Sequence, residues 1–411
     1  MPSIQRPTTY LFPLALCAML ACGAAQAQDY LEFLGKDGPG KDGPGKGKKI
    51  ALVAGDDEYR SEEGLPMLGK ILSQRLGFDC TVLFPAGPDG IIKPGDHGPV
   101  SNAGAMERAD AIIMLLRFRS WNNEAMQKFE TAYLRGVPII ALRTSTHAFD
   151  FGDKNSPYHK WTWNGNAEGW KGGFGKQVLG ETWVAHHGQH AKEGCRGIIE
   201  EANKAHAILN GVIDVFADSD VYTATAPADA TILMRGQVTD SLKPDSKPVA
   251  GKQNEPMQPV VWTRERKNEN GNVNRIVTTT MGAATDLQSE GLRRLIVNSV
   301  FWGLKMKVPA KADVTYVDAY NPSFYGFGTE RKNFKVEDLG LGKPLLPRTP
   351  GDGAKNEKKD DQPQGQNEAP KYSQPEKASR SAMILTRSRR TPSAKCARPL
   401  KAAPTSIWSM N

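Results

Sequence analysis

The feature that most constrains this chain is the regular exchange, between residues 49 and 142, of short apolar runs with segments of helical periodicity. Residues 49–54 (KIALVA), 79–84, 109–116 and 137–142 (VPIIAL) read as short strands, and 109–116 is too apolar for a strand with one face in water. Between them, residues 61–75 carry Leu65, Leu68, Ile71 and Leu72 on one stripe; a short helix is expected near 102–108, and residues 122–134 read as another. Strands joined through helices are expected to run parallel, because a parallel return needs a crossover of helical length. The expected fold class is α/β, a parallel-sheet sandwich with helices on both faces.

Strands are expected to resume at 219–226, 231–237, 258–264 and 275–280, followed by a helix over 286–305 with Leu292, Leu295, Ile296 and Val300 at helical spacing. The intervening residues 143–194 are long, aromatic and glycine-rich, and such a stretch inside a compact domain is usually functional. Residues 28–48 repeat GKDGP in tandem and read as a flexible Gly/Lys-rich linker. The folded domain is expected over 49–309, with a C-terminal extension at 310–349 packed on it or trailing. From 350 to 411 the composition cannot offset the entropy of ordering, and a disordered basic tail is expected.

The first 27 residues have the layout of a secretory signal peptide: Arg6, a short apolar run over 11–20, and Ala25-Gln26-Ala27 before a cleavage point at Gln28. The apolar run falls short of the roughly 20 residues that cross a bilayer core, so no transmembrane span is expected. A lipoprotein variant with Cys22 lipidated is the weaker alternative. Either way the protein is expected outside the cytoplasm, periplasmic or extracellular. Cys80, Cys195 and Cys396 are then too few for a disulfide framework, and a Cys80 to Cys195 bridge stays open. The formal net charge of +8 is matched by eight basic residues after Glu376, where no acid occurs. The remainder is balanced, so no specific nucleic-acid partner is implied.

In open parallel sheets ligands sit beyond the carboxyl ends of the strands, so the residues that follow each strand are the candidates. After the first comes Asp56-Asp57-Glu58-Tyr59-Arg60, then Ser61, Glu62 and Glu63, which suit a helix start by capping and dipole. Arg117 and Arg119 follow the third strand and would point the same way if the strand continued, either into a pocket or onto a solvated rim. Arg143-Thr144-Ser145-Thr146-His147 follows the fourth, at a turn where many α/β enzymes hold a nucleophile; no cysteine is present. Five of the seven histidines lie between His147 and His190. With carboxylates nearby they suit zinc or a similar divalent metal, yet the spacing matches no zinc motif, so no ligand set is assigned; hydrogen-bonded loop histidines are the alternative. The rings of Tyr59 and Trp163, with other Trp and Tyr side chains, can stack on a sugar or pack a long loop.

Five segments carry a resemblance: GDDEYRSEE, RFRSW, GVPIIALRTSTHAFDF, LGETWVAHHGQH, and TTTMG ahead of LIVNSVFWGL. In this order they resemble the ThuA-like (trehalose utilisation) family, its exported bacterial members in particular, over residues 49–309. That family is similar in fold to class I glutamine amidotransferases, which implies a flavodoxin-like sheet. Those enzymes place a cysteine where this chain has Arg143, and many relatives carry a histidine where Ala283 follows Gly282. Glutamine hydrolysis is therefore not implied. The resemblance implies a carbohydrate partner of the trehalose or keto-sugar class. It implies a pocket in which His147, Asp57, Glu58 and His187 do acid and base work while Arg119, Arg143, Tyr59, Trp163 and His186 hold the substrate. A non-catalytic carbohydrate-binding domain and an interaction protein on a degenerate enzyme fold are the other readings; the oligomeric state is open.

Overall fold

The computed structural model describes residues 27–348; most of the expected signal peptide, the tail from 350 onward and Cys396 lie outside the described residues. Ten strands form one mixed sheet: β1 (Tyr30–Phe33), β2 (Lys49–Gly55), β3 (Asp79–Leu83), β4 (Ala111–Leu116), β5 (Ile139–Leu142), β6 (Gly194–Ile199), β7 (Val215–Ala217), β8 (Thr231–Thr239), β9 (Gln258–Lys267) and β10 (Val273–Thr279). They lie in the order β1-β3-β2-β4-β5-β10-β9-β8-β6-β7. The five strands β3-β2-β4-β5-β10 pair in parallel. Every residue of β4 and β5 is buried, which is why those runs carry no polar alternation.

The helices α1 (Ser61–Leu76), α2 (Gly104–Arg108), α3 (Asn123–Leu134) and α4 (Glu290–Gly303) cover both faces of this parallel half. Leu52 and Ala54 of β2 share one core with Leu65, Leu68 and Leu72 of α1 and Leu292 and Val300 of α4. The alternate residues Ala51 and Val53 share the other with Met106 of α2 and Phe129 of α3. Each fully buried Leu, Ile, Val or Phe contributes roughly 1.5–3 kcal/mol relative to exposure, so these layers dominate the stability. Among the described residues no helix is long and apolar enough to cross a membrane.

Four expectations need correction. The sheet is parallel only in part: β1 joins β3, and β9, β8, β6 and β7 join one another and β10, all antiparallel. Residues 268–272 between β9 and β10 are far too short for a crossover, so a hairpin is the only return available. The stretch read as a linker is built into the fold. Leu31 and Phe33 of β1 bury against the core, and the GKDGP repeats lie flat on the end of α1, with Gly40 and Gly45 donating to the carbonyls of Gln74 and Leu76. A Cβ on Gly40 would stand 2.6 Å from the backbone of Arg75, so the glycines serve close approach here rather than flexibility.

The strand expected at 219–226 is a loop after the shorter β7; its backbone bonds irregularly to residues 185–188. The helix expected from 286 begins at Glu290 with Ser289 as cap, after a separate turn over Asp286–Gln288. Cys80 and Cys195 sit in β3 and β6, far apart in the strand order, and both are buried free thiols. Residues 310–348 pack back over the domain, burying Tyr320, Tyr325, Val336 and Leu339.

Candidate functional site

The carboxyl ends of β2, β4, β5 and β10 lie side by side, and the loops leaving them meet the loop after β7 and the segment 186–190 at one rim. Just beyond β2, the Asp56 carboxylate accepts from the backbone N–H groups of Glu58 and Tyr59 and from the Thr144 hydroxyl. Burial and the neighbouring Asp57 push its pKa up. Asp56 therefore shapes the loop that presents Asp57 and Glu58. Ser61 does not cap α1; its hydroxyl accepts from the backbone of Gly55 and Asp56 and ties the same loop closed.

Asp57 accepts from Arg117 Nη1 at 3.1 Å and pairs with His97 Nε2 at 3.3 Å. Burial alone would raise its pKa; His97 and the Arg117 and Arg119 charges outweigh it and hold the carboxyl down at about 2. The two arginines part company because β4 ends at Leu116 and Phe118 takes a left-handed φ of 51°. Arg117 turns to Asp57 at the rim. Arg119 is fully buried and donates only to the carbonyls of Pro94, Asp96 and Arg117, so it supports the loops and touches no open space.

Arg143, at the turn after β5, also has a left-handed φ, 40°, and is completely buried. Its Nη2 donates to Asp220 Oδ1 at 2.7 Å and to the Tyr59 hydroxyl at 3.1 Å, while Nη1 donates to the carbonyls of Asp220 and Thr280. The guanidinium lies 4.5 Å and 4.0 Å from the ring centres of Tyr59 and Tyr222. The place a nucleophile would occupy is thus filled by one half of a buried ion pair.

Asp220 is the centre of the cluster. Its Oδ2 pairs with His186 Nδ1 at 2.7 Å and its Oδ1 with His190 Nδ1 at 3.3 Å. Burial opposes its charge, but Arg143 and the two imidazoles hold its pKa well below the usual carboxylate range. An ionised carboxylate only accepts, so both Nδ1 atoms carry hydrogen. His186 therefore presents Nε2 outward from a half-exposed ring. His190 also places Nε2 3.2 Å from Glu58 Oε1; burial disfavours its charge, yet the bonds to Asp220 and Glu58 raise its pKa to about 9. At neutral pH His190 is an imidazolium held between two carboxylates.

Of the residues singled out in the sequence, Asp57, Glu58, Tyr59, Arg143, His147 and His186 converge here, with Trp163 at the rim. His147 is buried, its Nδ1 3.1 Å from the Thr146 hydroxyl and its ring near those of Phe118, Trp163 and Trp183. Burial, with Arg117 and Arg143 close by, pushes its pKa well below the usual histidine value, so it is neutral. His187 turns away: its Nε2 donates to the Gln253 carbonyl at 2.7 Å. His190, Asp220, Tyr222 and Tyr325 were not assigned from the sequence.

His186, His190 and Asp220 are the donors here that can take a divalent metal, their ligand atoms lying within 4.8 Å of one another. Two imidazoles and a carboxylate suit zinc. As they stand the groups are bridged by hydrogens, so an ion would have to displace the His190 proton and share Asp220 with Arg143. Two clefts lie elsewhere: one of about 20 Å³ beside Lys70 and Asp318, which holds at most a water, and one of about 380 Å³ between residues 91–96 and 330–333.

No family model matches this chain, and no curated protein matches it. Among proteins of known structure it is similar to the N-terminal domain of mmIFT52, at 11% identity and a TM-score of 0.33, over 63% of this chain and 97% of that one. A ThuA-like protein from Bacteroides uniformis shares 14% identity at a TM-score of 0.37, over 62% of this chain and 91% of its own. The chain is likewise similar to a ThuA-like protein from Parabacteroides merdae, at 15% identity and a TM-score of 0.38, over 69% of this chain and 98% of that one.

Proposed function

We propose that this chain is an exported ThuA-like protein on a flavodoxin-like, class I glutamine amidotransferase-like core, and that it acts on a carbohydrate of the trehalose or keto-sugar class by general acid and base chemistry without a thiol. The observation that carries the reading is Asp220, one carboxylate that holds Arg143 in the nucleophile's place and aligns both His186 and His190. Among the five parallel strands the chain order runs second, first, third, fourth, fifth, the flavodoxin-like order, which supports the core assignment.

The roles follow from which ring nitrogens are engaged. His186, with Nδ1–H donated to Asp220, offers a lone pair at Nε2 and is the base for a sugar hydroxyl or for a carbon next to a ketone. His190, charged at neutral pH, is the acid or the group that stabilises a developing oxyanion. Glu58 holds His190 from the other side. Asp57 with Arg117 lines the rim. If zinc binds, His186, His190 and Asp220 would hold it, and the ion would polarise a substrate oxygen there.

The test is turnover of trehalose and its keto form, followed by NMR of the products. Replacing His186 by Gln should lower turnover by about 10²–10⁴-fold and leave binding nearly intact. Unchanged turnover in that variant refutes the assignment. A second reading, a non-catalytic carbohydrate-binding domain, is favoured by the burial of Arg143 and by the four hydrogen bonds that occupy its Nη1 and Nη2; tight sugar binding with no product would establish it. Export is read from residues 1–27, and Gln28 as the first residue of the mature chain is the expected result of N-terminal sequencing.

A further inference from the structure

Few large apolar side chains are exposed among the described residues, and their distribution is uneven. Of the seven, Val184, Phe324 and Phe327 stand at or beside the rim of the Asp220 cluster, and the last two are the only aromatic ones. Phe324 and Phe327 are 47% and 46% exposed. Both come from the segment 323–329, which crosses the cluster after returning from the end of the domain.

That segment is fixed from several sides. Gly326 N–H donates to the Glu58 carbonyl at 2.9 Å, and the Tyr325 hydroxyl donates to the Asp218 carbonyl at 2.9 Å. Ser323 donates to Glu63 through both its N–H and its hydroxyl, and the Arg60 side chain donates to the Gly326 carbonyl and the Thr329 hydroxyl. The position of Phe327 is therefore built.

Phe327 lies 4.7 Å from the Arg117 guanidinium, which is 4.4 Å from Phe118. Phe118 is 5.5 Å from Trp163, and Trp163 is 6.1 Å from Trp183. Trp183 reaches His186 at 5.8 Å, and Tyr325, two residues from Phe327, reaches His190 at 5.5 Å. Rings and one guanidinium thus run in a chain of contacts from Phe327 to His186, and Tyr325 adds a ring beside His190.

The arginines beside these rings are already paired, Arg117 with Asp57 at 3.1 Å and Glu58 at 4.0 Å, and Arg143 with Asp220 at 2.7 Å. Arginines already held by carboxylates offer little attraction to a charged ligand. An exposed apolar ring beside paired polar groups matches a neutral, hydroxyl-covered ring with one face of C–H groups.

We propose that Phe327, set against Arg117 and Phe118, is a stacking subsite for a neutral pyranose ring and selects it over charged sugars. This rests on the carbohydrate reading above and adds which residue, from outside the strand-end loops, decides recognition.

Isothermal titration of the full chain with trehalose and glucose, and with glucose 6-phosphate and glucuronate, tests it. The neutral sugars should bind more tightly than the charged ones. Phe327→Ala should weaken trehalose binding by about tenfold at an unchanged melting temperature, while Phe327→Tyr restores it and Ile213→Ala, an exposed residue on another loop, changes nothing. Trehalose binding by the parent with equal affinity in Phe327→Ala overturns the subsite and leaves the carbohydrate reading standing. Preference for the charged sugars overturns the selectivity. No sugar binding by the parent overturns both.

Discussion

Replacing Asp220 by Asn keeps the shape of the side chain and removes the one charge on which the site converges. In the parent, Asp220 is buried, pairs with Arg143 at 2.7 Å and accepts from His186 at 2.7 Å and His190 at 3.3 Å. Breaking a buried ion pair by removing one partner costs roughly 3–5 kcal/mol, because the remaining charge is left uncompensated. Arg143 keeps its two backbone acceptors and both tyrosine faces, which places the expected loss at the lower end, about 3 kcal/mol. Urea unfolding followed by tryptophan fluorescence should show the midpoint fall by about 1 M with an unchanged slope. Arg143→Met should cost a similar amount, and Arg143→Met combined with Asp220→Leu should recover most of the loss. His190 supplies an independent readout. With one of its two carboxylates gone, its pKa should drop from about 9 towards the ordinary value of 6.5 in an NMR titration. Since the folded pKa lies above the unfolded one, the stability His190 adds is complete below about pH 6.5 and vanishes as pH rises through 9, about 1 kcal/mol after solvent screening of a ring this exposed. A loss under 1 kcal/mol in Asp220→Asn together with an unmoved His190 would refute the claim that Asp220 organises the cluster.

Three other outcomes follow from the same geometry. Glu62 is buried with both carboxylate oxygens unpartnered, and burial, opposed by Arg60, raises its pKa to about 8. The folded state thus holds a proton the unfolded state has released, so Glu62→Gln should stabilise the protein increasingly, by about 1.4 kcal/mol per unit between pH 5 and 8, as read from urea midpoints across pH. Zinc at one equivalent should raise the melting temperature, and because it must displace the His190 proton its apparent affinity should climb about tenfold per unit from pH 7 to 9; a flat pH profile, or the same response in His186→Ala, contradicts that ligand set. Gly175 packs against the turn after β5 so closely that a Cβ would stand 1.8 Å from the Thr146 carbonyl oxygen; Gly175→Ala should cost about 1–3 kcal/mol in thermal unfolding and shift the His147 resonances.

The parallel half of the fold is legible because its strands are buried on both faces and so appear as unbroken apolar runs, as in residues 111–116. The antiparallel half lacks that mark. β6 contains Gly194, Arg196 and Gly197, and no apolar run announces it; its order comes from pairing with β7 and β8 on either side. β1 is short, and the tandem repeat behind it has the composition of a linker while its glycines answer to close packing on α1. Arg119 shows the limit of strand arithmetic: two residues from Arg117 it should share a face, but one left-handed residue between them sends it inside.

The site divides along the same line. Asp57, Glu58, Arg143 and His147 follow parallel strands, and the strand order alone brings them together, so position in the sequence was enough to single them out. Asp220 has no such marker. It follows β7, three residues at the sheet edge farthest from β1, and reaches the centre because Asp286 accepts from the Ser219 N–H and hydroxyl and from the N–H groups of Gly282 and Ala283, tying the loop to the turn after β10. His190 returns to the cluster through a reversal in which Glu193 accepts from Gln189 N–H, whereas His187, nearer to His186 in the chain, is drawn off by Gln253. The antiparallel half is therefore part of the site's construction: the parallel strands set out Arg143, Asp57 and Glu58, and the edge strands deliver the carboxylate that gives those charges a common partner. A chain of this fold that kept the strand-end loops and lost the Asp286 anchor would keep its sheet and scatter its histidines.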